Sequence, residues 1–89
     1  MEREAIPPLR QKVDADPKNP EARFDLAMGL FAVGQHELAI DEFLELIRMN
    51  RSWNEEAGRV QLLKVFDTLG PTHELTVAGR KRLSSILFS

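Results

Sequence analysis

The chain has 89 residues, no cysteine and a net charge of −2, with 43% hydrophobic and 29% charged residues. That is the composition of one small globular domain. It excludes a disulfide scaffold, a zinc knuckle and a redox-active thiol within this chain, and the interleaved charges give no basic footprint for nucleic acid.

The opening residues, MEREAIPPLRQK, lack the apolar stretch of a signal peptide. No run approaches the roughly 20 apolar residues that cross a bilayer. A cysteine-free domain of this size fits a reducing compartment. These features predict a soluble, cytoplasmic protein that binds neither membrane nor nucleic acid.

Strand signals are almost absent: there is no tyrosine, no alternating β-branched run and no Asn-Gly or Asp-Gly turn. Helix punctuation recurs instead, and it predicts five helices at about 3–14, 20–33, 36–49, 53–69 and 73–88. The first places Ile6, Leu9 and Val13 on one face, although Pro7-Pro8 fits only its opening turn. The second opens with Asn19 as N-cap, Pro20 and Glu21, and closes at Gly34. Phe24, Ala27, Met28 and Phe31 fill one of its stripes, and Leu26, Leu30 and Val33 another. A helix apolar on two sides is sandwiched between neighbours.

The third helix turns Ala39/Ile40, Phe43/Leu44 and Leu46/Ile47 inward and Glu37, Asp41, Glu42, Glu45 and Arg48 outward. Ser52 to Glu55 has the spacing of a capping box for the fourth, Gly70-Pro71 stops it, and Thr72 can cap the fifth. Gly58 and Gly79 fall inside these last two helices, each at a cost of roughly 1 kcal/mol, which predicts a less rigid end. Short loops make consecutive helices antiparallel hairpins. The fold class is all-α.

Ala5 and Ala39 stand 34 residues apart, as do Leu9 and Phe43, and Asp16 and Asn50. Leu26-Ala27-x-x-Leu30 and Ala39-x3-Phe43 complete the pattern. This resembles the tetratricopeptide repeat, in which small residues let paired helices approach and an aromatic fills the gap one turn on. An unrelated bundle with chance spacing is the competing reading. The resemblance implies a right-handed superhelical stack, with residues 1–19 a partial repeat and 20–53 the best-matching one. Residues 54–89 then form a longer, degenerate hairpin that caps the end, because Gly79-x3-Leu83 falls 40 residues after Ala39 instead of 34.

Three further blocks are more specific: Trp53-Asn-x-x-Ala57, Leu62-Leu-x-x-Phe66 ending in Leu69-Gly70, and Arg80-x-x-Leu83-x-x-x-Leu87-Phe88. With these, the stretch from Asp16 to Phe88 is similar to the C-terminal tetratricopeptide-like domain of bacterial thioredoxin-fold chaperones, or chaperedoxins. The resemblance implies an upstream thioredoxin-like domain and a link to redox homeostasis. It also implies work in protein quality control: holding unfolded clients and passing them to the chaperonin or the 70-kDa heat-shock chaperone.

No catalytic constellation is visible. His36 and His73, the only histidines, each sit at a predicted helix start, and Glu42, Glu45, Glu55 and Glu56 read as a solvated face and first-turn dipole partners. No enzyme activity, metal or cofactor is expected. Candidate protein-binding residues are Phe24, Met28 and Phe31 on the second helix, with Leu62, Val65 and Phe66 on the fourth. They either line a concave groove or form core. On the last helix the candidates are Arg80, Lys81 and Arg82, read as a solvated face or an acidic partner's dock, with Leu87 and Phe88 beyond. Two functions fit: an interaction module for clients and chaperone partners, or a structural module for weak self-association and for positioning a catalytic domain.

Overall fold

The structure, a computed structural model, describes residues 5–88. Five helices follow one another: α1 (Ile6–Ala15), α2 (Pro20–Ala32), α3 (His36–Met49), α4 (Trp53–Leu69) and α5 (Glu74–Phe88). There is no strand among the described residues. Each helix packs antiparallel on the next; α2 and α4 also meet in one layer, and α3 and α5 in the other. The all-α hairpin stack is therefore present, with α3 at its centre.

Among the described residues α1 starts at Ile6, and its two prolines occupy the first turn, where a missing N–H breaks no bond. Arg3 and Glu4 lie outside the described residues. Val13 is buried, and Ile6 and Leu9 pack on the core. The start of α2 is as expected: Asn19 Oδ1 accepts the Ala22 N–H at 3.2 Å, and Pro20 follows the cap. At its end Gly34 takes φ +83°. The Gln35 N–H donates to Leu30 O (2.9 Å) and the Gly34 N–H to Phe31 O (3.1 Å), the Schellman pattern that a residue without a β-carbon adopts most cheaply.

All six inward residues of α3, Ala39 to Ile47, are between 0% and 3% exposed. All of them but Leu46 meet Leu26, Ala27 and Leu30 of α2 and Leu62, Val65 and Phe66 of α4 in one cluster.

Two expected caps are replaced. Ser52 makes no side-chain cap bond; instead Asn54, Glu55 and Glu56 take φ of 49°, 56° and 62°. This is a left-handed turn before the right-handed helix. It costs about 1–2 kcal/mol per residue for L side chains, and the docking of Trp53 on Phe24, ring centroids 5.4 Å apart, offsets part of that cost. For α5, His73 caps rather than Thr72: its Nδ1 accepts the Leu75 N–H at 3.0 Å. The imidazole reaches two residues on along the chain, within hydrogen-bonding distance of the first turn's free donors.

Charged residues tie the helices together. Glu42 on α3 accepts Arg23 of α2 (2.7 Å) and Arg10 of α1 (3.2 Å). Arg51, in the α3–α4 loop, reaches the carbonyls of Ile86 and Leu87, both at 3.2 Å. It thereby satisfies acceptors that the end of a helix leaves free.

Candidate functional site

The expected groove divides in two. On α2, Met28 is exposed (38%), and Phe24 and Phe31 are half-buried on either side of it. Phe24 stands edge-on to Phe43 at 6.0 Å and against Trp53, so its ring is braced from two elements. Phe31 lies 5.0 Å from the ring of His36 at the start of α3. These three side chains form one accessible apolar stripe with fixed walls.

On α4, of the two alternatives of groove and core, the side chains take the second. Leu62 and Phe66 are fully enclosed and Val65 nearly so, which makes all three core. They join the core with α3, and Phe66 is also covered by the close approach of α5. Gly79 leaves no β-carbon between the helices, and Phe66 fills that space. The exposed apolar residue of α4 is instead Val60, which the sequence pattern did not single out as a binding residue.

The last helix separates its candidates further. Leu83 is buried and Leu87 half-buried, so the helix is anchored on the core, while Phe88 stands 84% exposed. Arg80 lies with its guanidinium carbon 5.3 Å from the centroid of Phe66, a cation–π contact that leaves the charge accessible. Arg82 is engaged with Asp41 of α3 at 2.5 Å. Lys81 is exposed with no ion pair among the described residues. The run Arg80-Lys81-Arg82 is thus three different situations, not one basic patch.

Sequence reasoning missed Trp53, which braces Phe24, and Arg51, which ties the α3–α4 loop to the end of α5. It also missed an open cleft of about 310 Å³ lined by Ile6, Pro7, Leu30, Val33, Gln35 and Leu38. Exposed Leu38 (46%) was the available signal, since it interrupts the polar face of α3.

Hydrogen bonds from Arg48, one turn on, hold the Glu45 carboxyl below the usual carboxylate range, and the nearby cationic charge adds to this. No cluster of three or more potential metal ligands occurs among the described residues. No helix there is long and apolar enough to cross a membrane.

The geometry is that of a helical-hairpin stack offering apolar and cationic side chains on an ordered frame. A family model described as tetratricopeptide repeat matches residues 2–88. Comparison with curated proteins and with solved structures gives no match. With all but the first and last residue inside the family match, the chain belongs to the tetratricopeptide repeat family, whose domains generally mediate protein–protein interaction.

Proposed function

We propose that this chain is a non-catalytic, cytoplasmic interaction module of a thioredoxin-linked chaperone, contributing to the binding of unfolded clients or of a chaperone partner. The specific link rests on the resemblance of Asp16–Phe88 to the chaperedoxin C-terminal domain. An upstream thioredoxin-like domain and the chaperonin or 70-kDa heat-shock chaperone as partners belong to the same proposal. Residues 1–19, 20–53 and 54–89 then act as partial repeat, full repeat and terminal cap.

The observation that carries it is the last helix. It is anchored through Leu83 and through Arg51, yet it holds Phe88 84% exposed beside accessible cations. An exposed aromatic on an anchored helix offers apolar surface to a partner, and the cations two turns earlier steer an acidic one. Met28 between Phe24 and Phe31 supplies a second, adaptable apolar contact suited to varied segments.

Titration calorimetry with an unfolded model client and with each of the two chaperones tests the reading. Binding to one of them, weakened by Phe88→Ala, supports it. No heat with any of the three sinks the chaperone assignment.

A further inference from the structure

We infer that this chain associates head to tail with a second copy, Phe88 of one seating in the cleft formed by Ile6, Pro7, Leu30, Val33, Gln35 and Leu38 of the next.

The two surfaces are complementary and belong to one molecule. Among the described residues Phe88 is the most exposed of the large hydrophobic side chains, at 84%, and a cleft of about 310 Å³ has room for an aromatic ring. Its wall Leu38 is itself 46% exposed, so both partners lose apolar surface to water when they meet. They sit on opposite edges of the stack. The cleft gathers the start of α1, the end of α2 and the start of α3, whereas Phe88 closes α5 on the other edge. One surface therefore cannot reach the other within a single chain.

Charge fits the same pairing. Lys81 lies two turns before Phe88 on the same face of α5, while Glu37 is exposed next to Leu38. Neither has an ion pair among the described residues, which leaves opposite charges on the helices that carry knob and cleft. One side chain in one cleft buries far less than the roughly 1,200 Å² of a stable interface, so the association is weak and fast. Because knob and cleft are different surfaces, the contact is heterologous and does not close on itself. Docking of a partner on Phe88 and self-association are alternative uses of one side chain.

Sedimentation equilibrium of the chain alone tests this, with no client or chaperone present, so its outcome is separate from the chaperone assignment. The weight-average mass of the wild type roughly doubles at about 1 mM, the range expected for a contact of this size. Phe88→Ser and Leu38→Asp each remain monomeric there. Both positions are exposed, and circular dichroism confirms the fold of each variant. An equimolar mixture of the two variants retains one good knob and one good cleft, and it forms dimers but nothing longer. A wild type that stays monomeric at about 1 mM overturns the proposal. So does an associating wild type accompanied by a mixture that stays monomeric, since knob and cleft would then not be each other's partners.

Discussion

Gly79 on α5 lies against the ring of Phe66 on α4: a β-carbon at Gly79 would stand 2.7 Å from two of the ring's carbons. The ring is fully enclosed and has no free end to swing aside. As with Ala39 on α3, a small residue lets two helices approach, here with one carbon fewer. Gly79 therefore serves packing, although it weakens its own helix. Gly79→Ala gains roughly 1 kcal/mol of helix propensity but overpacks the seam at about 1–3 kcal/mol. The expected result is a lower midpoint of thermal unfolding. A variant that melts higher would mean α4 and α5 do not approach this closely.

Ala39 is completely buried, and it faces a core that contains Leu26, Ala27 and Leu30 of α2. Ala39→Phe adds a ring where the two helices meet, with no exposed direction for it to take. Overpacking costs about 1–3 kcal/mol, and more where the backbone has to move. In a domain of this size that lowers the melting temperature by several degrees per kcal/mol. Unfolding within a degree or two of wild type would contradict the repeat seam.

Glu55 sits at φ +56° in the middle of the left-handed turn, exposed. Glycine adopts that conformation without the penalty of a β-carbon, but it also gives the unfolded chain more freedom. The first effect, about 1–2 kcal/mol, exceeds the second. Glu55→Gly should raise the denaturation midpoint by the equivalent of about 1 kcal/mol, whereas Glu55→Ala should leave the left-handed strain in place. A loss of stability on Glu55→Gly would show that the residue belongs to a right-handed helix after all.

The helix ranges were legible because their signals are local. Asn19-Pro20, Gly34 and Gly70-Pro71 each act within a turn of where they stand, and α3 announces its buried face through its period. The left-handed turn inside the start of α4 was not legible, because there Trp53 docks on Phe24, 29 residues away. A side chain drawn to a distant aromatic overrides a capping pattern that a window of four residues suggests. The same limit explains Leu62, Val65 and Phe66. Their stripe says that one face of α4 is apolar, while the choice between open groove and core depends on what packs there: α3, and for Phe66 also α5 at close range. That closeness comes from Gly79, which counted in the sequence only as a helix defect. For the last helix, Leu83, Leu87 and Phe88 look alike as letters, and distance from the anchoring contacts separates them.

Glu45 provides the pH test. Its carboxyl is held below the usual range, first by hydrogen bonds from Arg48 and then by the charge of Arg48 and Arg23. A lowered carboxylate value in the folded state adds stability that is present above the unfolded value, and this stability is lost as pH falls through the folded one. The pair is surface-exposed, so the increment is small and screened by salt. Denaturant midpoints of wild type and Glu45→Gln should differ at pH 7 and converge by about pH 3. A gap that persists undiminished in acid would show that Glu45 acts through something other than its charge.

The end of α5 separates folding from binding. Leu83 is buried, Ile86 and Leu87 are half-buried, and Arg51 binds the carbonyls of those last two, so the helix up to Leu87 contributes to the cap. Terminal hairpins of a stack need such a cover, because otherwise a core face meets water. Truncation after Leu83 removes the half-buried pair and the acceptors of Arg51, and it should lower both melting temperature and partner affinity. Phe88 contributes almost nothing to that cover. Replacing it by alanine deletes a ring that is mostly in solvent already, so the change in stability should stay within about 0.5 kcal/mol. On a partner surface the same ring is an anchor, and its loss should weaken binding by roughly tenfold or more. Calorimetric titration of the client or chaperone into Phe88→Ala, alongside a melting curve, reads both quantities. Full affinity with an unchanged melting temperature would leave α5 as a cap alone and move the docking surface to Met28 and its aromatic neighbours.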